Sequence, residues 1–217
     1  MPIFWYELAN LVRVTTSRTL KHLELRMDNL GEKSLGPSCP CTLDYIACSP
    51  CLESLKLWGV SLKQLPAWTP LLRLHTLEVV GVRVQDTALF GMLRACPMLK
   101  NLALLGCDGA KIVDIDLQYL EQCRLDFYGI GDCFLNITAP KLKLFEIQGA
   151  AWIRIRGNHS LRQLSIANNA GKVNKVDQCG RLSDLESLSM RGVQWCWDAI
   201  DNVLQSATDV KNLGDEN

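Results

Sequence analysis

Apolar residues recur along the chain in one short pattern: an apolar position, two variable ones, an apolar one, one variable one, an apolar one. It starts at Leu20 (with Leu23 and Leu25), Leu52 (Leu55, Leu57), Leu74 (Leu77, Val79) and Leu99 (Leu102, Leu104). It continues at Leu120 (Cys123, Leu125), Leu142 (Phe145, Ile147), Leu161 (Leu164, Ile166) and Leu185 (Leu188, Met190). The first step is 32 residues and the later ones run from 19 to 25. The alternating end of each unit is a short strand with period two, apolar side chains to one face and variable ones to the other. One unit cannot hide its apolar side alone, so units stack and their strands line up in one parallel sheet.

This spacing predicts an α/β fold: a leucine-rich-repeat solenoid (horseshoe), with a parallel β-sheet on the concave face and helical or irregular returns on the convex face. Asp86 to Ala95 reads as a helix with Asp86 as its cap and Ala88, Leu89, Met92 and Leu93 as its apolar stripe. Trp197 to Ser206 reads the same way, with Trp197, Ile200, Val203 and Leu204 inward. Between Leu120 and Leu161 the returns contain Gly129, Gly131, Pro140 and Gly149, and the runs Phe134 to Ile137 and Trp152 to Arg156 alternate as strands do. Strand or irregular returns are expected there. Gly31 to Cys41 is a loop by composition. The expected division is 1–19 as an N-terminal segment or incomplete first repeat, 20–209 as a domain of about eight repeats, and 210–217 as an aborted repeat or polar tail.

The bulk numbers narrow the function. Lys+Arg and Asp+Glu both number 23 among 217 residues, which leaves no positive excess for a nucleic-acid backbone or an anionic membrane. No stretch has the length and apolarity of a membrane span. Met1 to Thr16 lacks the order of a signal peptide, so the expected location is cytoplasmic or nuclear, and the sequons at Asn136 and Asn158 carry no weight. A chain of this size with ten cysteines in such a compartment is not a disulfide scaffold.

Catalytic chemistry finds little support. Cys39, Cys41, Cys48 and Cys51 fall within 13 residues and form a low-weight zinc set. The plainer reading is that Cys48 to Cys51 fills the small-residue position before a repeat leucine. His22, His75 and His159 are the only histidines, and none lies beside a cysteine in a nucleophile signature. No enzyme activity and no cofactor are expected.

The variable strand positions are the candidate binding surface. They are His22, Glu24 and Arg26; Ser54, Lys56 and Trp58; Thr76, Glu78 and Val80; Asn101, Ala103 and Leu105. The later coils add Gln122, Arg124 and Asp126; Leu144, Glu146 and Gln148; Gln163, Ser165 and Ala167; Ser187, Ser189 and Arg191. Trp58, Val80 and Leu105 amid Arg26, Lys56, Glu78, Asn101, Arg124, Asp126, Glu146 and Arg191 make a charge-mixed, partly apolar face suited to a protein or peptide. Arg154 and Arg156 share one face with Trp152 and form a possible anion contact, against the plainer reading of a solvated sheet edge.

Three stretches resemble one family. Cys96 to Cys107 is similar to the C-P-x-L-x-x-L-x-L-x-x-C unit of F-box proteins with leucine-rich repeats, and Ser49 to Gly59 is a second copy. Ala139 to Gly149 resembles the A-P-x-L-x-x-x-x-I-x-G unit of the plant branch. The resemblance covers roughly Leu20 to Leu213. It implies that the repeats recruit a substrate while an F-box docks on a Skp-type linker of a cullin-RING ubiquitin ligase. Met1 to Thr19 is too short for an F-box and lacks a Leu-Pro-x-x-x-Leu start. The chain as given is therefore expected not to dock on that linker, which would bind only an F-box present in a longer form. The alternative is a ligase-independent scaffold or competitor.

Overall fold

The computed structural model describes residues 19–26, 49–59, 70–128, 133–157, 159–168, 175–177, 182–192, 195–207 and 212–214. Each repeat pattern becomes a strand of one sheet: β1 (His22–Arg26), β2 (Ser54–Trp58), β3 (Thr76–Val80) and β4 (Asn101–Cys107). β6 (Gln122–Phe127), β8 (Leu144–Gln148), β10 (Gln163–Asn168), β12 (Ser187–Gly192) and β13 (Asn212–Gly214) complete it. These nine strands pair in that order, all parallel. The other four strands, β5 (Ile112–Asp116), β7 (Phe134–Thr138), β9 (Trp152–Arg156) and β11 (Lys175–Asp177), form a second parallel sheet. From β4 to β12 the chain alternates between the two sheets, one strand of each per coil. Helix α1 (Asp86–Ala95) packs on β5 and helix α2 (Trp197–Ser206) on β11, so a helix flanks each edge of the second sheet. Helix α2 takes the place of a second-sheet strand between β12 and β13.

The core lies between the sheets in continuous rows. Leu55, Leu77, Leu102, Cys123, Phe145, Leu164 and Leu188 occupy one register level, and every one is buried. Cys123 is the smallest of the row and its neighbour Phe145 the largest. This is the size alternation that lets stacked coils interdigitate without voids. The second sheet contributes Val113, Ile115, Leu135, Ile137, Ile153 and Ile155, all buried.

Front strands end where the chain must turn sharply. Gly59, Gly81, Gly106 and Gly149 follow the last outward residue of β2, β3, the regular part of β4 and β8, each with φ between 60° and 82°. Gly149 is further constrained, because a Cβ there would lie 2.1 Å from the carbonyl oxygen of Phe127. Around Gly81 a Cβ would meet nothing within 4 Å. Gly149→Ala is thus expected to cost about 3 kcal/mol, backbone strain plus collision, and Gly81→Ala about 1 kcal/mol. Urea melts of the two variants check this, and equal midpoints would refute the close approach.

The expected strand returns at Phe134 and Trp152 are present as β7 and β9, and the helix bounds at Asp86–Ala95 and Trp197–Ser206 agree. Four details differ. The N-cap of α1 is Gln85, with no side-chain cap, and Asp86 instead accepts from the backbone N–H groups of Lys111 (2.7 Å) and Ile112 (3.2 Å). Its carboxylate satisfies donors at the start of β5, which an edge strand leaves open. On α2 Trp197 is 80% exposed and Leu204 43%, while Ala199 and Val203 are buried. The helix packs on β11, and its apolar arc is wider than its buried stripe. Isoleucine-rich β5 is a strand that the helix-and-loop reading passed over. Arg154 and Arg156 do not sit on a sheet edge, since β9 lies between β7 and β11. The loop expected at Gly31 to Cys41 lies outside the described residues.

Candidate functional site

The outward residues of the nine-stranded sheet fall into three rows, because every pairing from β1 to β12 keeps the same register apart from a shift late in β4. The first row runs His22, Ser54, Thr76, Asn101, Gln122, Leu144, Gln163, Ser187. The middle row runs Glu24, Lys56, Glu78, Ala103, Arg124, Glu146, Ser165, Ser189. The third comprises Arg26, Trp58, Val80, Leu105, Asp126, Gln148, Ala167 and Arg191. None of these residues is buried.

Much of the polarity is already paired across strands. The Arg26 guanidinium stacks 3.4 Å above the Trp58 ring, whose indole N–H donates to Glu78 Oε1 at 3.2 Å. Lys56 Nζ lies 3.3 Å from the other Glu78 oxygen. These four residues form one continuous cluster. Arg124 meets Glu146 at 3.2 Å, Arg191 donates to Ser165 Oγ at 3.4 Å, and Asn101 donates to Thr76 Oγ1 at 3.3 Å. Such exposed pairs add little to stability. They fix side-chain positions, and so reduce the ordering cost a bound partner would have to overcome. Trp58, Val80 and Leu105 are consecutive in the third row and half-buried, forming its apolar stretch. At its end Asp126 Oδ1 is shielded from solvent and accepts no hydrogen bond among the described residues.

Two features of this face were not singled out in the sequence. Tyr128, 73% exposed, places its ring beside Gly106, where a Cβ would be 3.8 Å away. One residue before each strand, Lys21, Glu53, His75, Lys100, Glu121, Lys143, Arg162 and Glu186 form a ladder in which each backbone N–H donates to the preceding carbonyl. Lys21 meets Glu53 at 3.0 Å and Lys143 meets Glu121 at 2.7 Å, and both carboxyls are held below their usual range by those hydrogen bonds. A charged or histidine residue just after the leading leucine is the sequence signal for this rim.

Arg154 and Arg156 stand away from this face, on the outer side of the second sheet. Trp152 stacks on Phe134 there, with ring centroids 5.5 Å apart.

The described cysteines are free thiols, and four are buried. Burial pushes Cys96 and Cys133 up to about 12 and Cys107 to about 11, and it raises Cys123 as well. A thiol held protonated is a poor nucleophile and a poor metal ligand. Of the candidate zinc set only Cys51 is described, half-buried, while Cys39, Cys41 and Cys48 lie outside the described residues. No group of three or more His, Cys, Asp or Glu among the described residues is arranged to hold a metal. His22 and His159 are exposed and His75 is half-buried. No described helix is long and apolar enough to cross a membrane.

A family model described as At1g61320/AtMIF1, LRR domain, matches residues 5–205. Among curated proteins, the chain is similar to "F-box protein At1g10780" of Arabidopsis thaliana, with 49% identity over 197 residues. That match covers 91% of this chain and 47% of the relative. A second Arabidopsis relative, "Putative FBD-associated F-box protein At5g56560", is 33% identical over 116 residues, covering 52% of this chain and 26% of its own. The chain thus spans about half the length of the first relative and about a quarter of the second. No solved structure matches it. Stacked leucine coils, an open polar-apolar face and a match over nearly the whole length converge: the chain belongs to the leucine-rich-repeat domain family of the At1g61320/AtMIF1 type, a family of protein-interaction domains.

Proposed function

We propose that the outer face of the nine-stranded sheet holds a protein substrate for a cullin-RING ubiquitin ligase of the F-box type. The observation that carries this reading is the 49% identity to a protein named as an F-box protein, which the 217 residues match across 91% of their length. The face supports it physically. The residues assigned to the partner are Arg26, Lys56, Trp58, Glu78, Val80, Asn101, Leu105, Arg124, Asp126, Glu146 and Arg191. Trp58, Val80 and Leu105 bury an apolar side chain of the substrate, and Asp126 takes a donor beside it. Fixed pairs of both signs around them select against a partner of uniform charge. A Skp-type linker is a partner only if an F-box is present in a longer form, and residues 20–209 act as the recognition domain in the cytosol or nucleus.

The test is affinity capture from plant extract with the tagged chain, followed by mass spectrometry and binding of the purified partner. The expected partner accumulates when the proteasome is blocked and is lost from a Trp58→Ala bait. A captured partner whose turnover ignores the proteasome would replace this reading with a ligase-independent scaffold or competitor. Direct capture of a purified Skp-type protein by this chain would overturn the assignment of that contact to an F-box.

Trp58→Ala is expected to weaken the purified partner at least about tenfold, as removal of a central aromatic anchor does. The thermal melt should shift by only a few degrees, since the ring is half-buried and its partners stay solvated. An unfolded Trp58→Ala protein would mean that the ring belongs to the core.

A further inference from the structure

The register shift late in β4 sets two residues, Leu105 and Gly106, against the single residue Asp126 of β6. Such a bulge re-aims side chains locally and is common beside functional sites. Asp126 is half-buried, and its Oδ1 is shielded from solvent with no hydrogen bond among the described residues. Arg124, on the same strand, is engaged by Glu146 at 3.2 Å, and Gln148, the register partner of Asp126 on β8, carries no charge. A shielded carboxylate oxygen without a donor costs the free protein stability, and a donor brought by a ligand recovers it.

Beside that acid the rim of the sheet is bare. Gly59, Gly81 and Gly106 follow Trp58, Val80 and Leu105 on successive coils, and the first two are exposed. A Cβ on Gly106 would lie 3.9 Å from the Gly81 nitrogen, and a Cβ on Gly81 would meet nothing within 4 Å. The N–H groups of Gly59 and Gly81 already donate to the Val80 and Leu105 carbonyls. The glycines therefore offer space rather than hydrogen bonds. The exposed Tyr128 ring closes this shelf beyond Gly106. Arg26 covers one face of the Trp58 ring, and Val80 and Leu105 continue the apolar floor from it toward Asp126.

We propose that this groove takes an extended segment of a protein partner, running across the strands, with the pattern apolar-x-basic. The apolar side chain rests on Val80 and Leu105, the main chain passes along the glycines, and the arginine or lysine reaches Asp126 against the Tyr128 ring. The inference rests on the outer face being the partner's seat and adds the chemistry that seat selects. Strands about 4.8 Å apart put Asp126 about 7.2 Å from the midpoint of Val80 and Leu105. Residues i and i+2 of an extended chain share a face and lie about 6.8 Å apart, which matches, whereas i+1 and i+3 face away. A helix, about 10 Å across, would stand off the bare rim. A cation supplies the missing donor, and a flat guanidinium can stack on Tyr128 while bonding the carboxylate. An acidic residue there would meet Asp126 with like charge.

A random peptide library displayed on phage and selected on the whole chain tests this. The expected enrichment is apolar-x-Arg or apolar-x-Lys. A synthetic peptide of the enriched sequence, followed by fluorescence anisotropy, should bind at least about tenfold more weakly to Asp126→Asn. Tyr128→Ala should weaken it about twofold to fivefold. Moving its basic residue one place along the peptide should weaken it as much as Asp126→Asn does. Asp126→Lys should turn the preference to the same peptide with glutamate in the basic position, a reversal that misfolding cannot produce. Circular dichroism checks the fold of each variant. If Asp126→Lys is unfolded, Asp126→Asn replaces it and should discriminate less than the parent against the glutamate peptide. No enrichment, a different pattern, or a selected peptide indifferent to Asp126 or to the spacing would each overturn the proposal. A partner of the outer face lost on Trp58→Ala but indifferent to Asp126→Asn would overturn it while the reading of the face stands. A partner lost on Asp126→Asn whose turnover ignores the proteasome would overturn the ligase reading alone.

Discussion

Leu102→Asp is expected to abolish the cooperative melt of the chain at 25 °C. Leu102 is 2% exposed and stands mid-sheet, with Leu77 and Cys123 as its register neighbours. Replacing it removes a buried leucine, worth about 2–5 kcal/mol by truncation alone. It also places an unpaired carboxylate among apolar side chains, at a cost of several kcal/mol more. Together these match the whole stability of an ordinary domain, roughly 5–15 kcal/mol. The position in a stack adds to the damage. Coils are stabilised by their neighbours, so a break at β4 separates the coils before it from those after it. Ala103→Asp is the control, one residue along on the outward side and level with Glu78 and Arg124. It should shift stability by no more than about 0.5 kcal/mol. Far-UV circular dichroism against temperature distinguishes the two, and a Leu102→Asp protein that melts like its parent would mean the inward row is misplaced.

That inward row was legible because a strand carries its two faces in alternate residues. Leu55 and Leu57, or Phe145 and Ile147, declare burial without knowledge of their neighbours, and Trp58 or Glu146 declares the opposite face. The bounds of α1 followed from its apolar period. What could not be read was anything that depends on which coil lies alongside. Trp58 donates to Glu78, 20 positions further along the chain, only because the intervening segment brings β2 and β3 into register. Asp86 looked like a cap because its own helix was the only partner in view, yet its carboxylate serves the next coil. Trp197 and Leu204 continue the apolar arc of α2, and only the location of β11 decides which part of that arc is covered. The candidate site shows the same division. Its outward rows were readable, whereas the pairing that holds Arg26, Trp58, Lys56 and Glu78 as one cluster, and the exposed ring of Tyr128, required the stack.

Alkaline solution should unfold this chain unusually early, and the buried thiols are the reason. In the unfolded chain each cysteine gives up its proton near its ordinary value of 9.0, whereas in the fold burial holds Cys107 to about 11 and Cys96 and Cys133 to about 12. Above pH 9 the unfolded state therefore binds fewer protons than the native one, and stability falls as pH rises. Below that point the term is constant and favours the fold. The loss begins near 9 and ends, for each group, as pH passes its folded value, Cys107 first. One fully protected thiol gives a slope of about 1.4 kcal/mol per pH unit. With Cys123 raised in the same direction, four such groups approach about 5 kcal/mol per unit. Against ordinary domain stability this puts the alkaline midpoint roughly one to three units above the free thiol value. Urea melts in reducing buffer from pH 8 to 11 measure it. The double variant Cys96→Ala, Cys107→Ala should lose part of the slope even though it starts from a lower stability, since alanine has no proton to give up. A stability that stays level up to pH 11, or a slope indifferent to those two substitutions, would show that these sulfurs reach water in the native state, and that the core between the two sheets is looser than their packing implies.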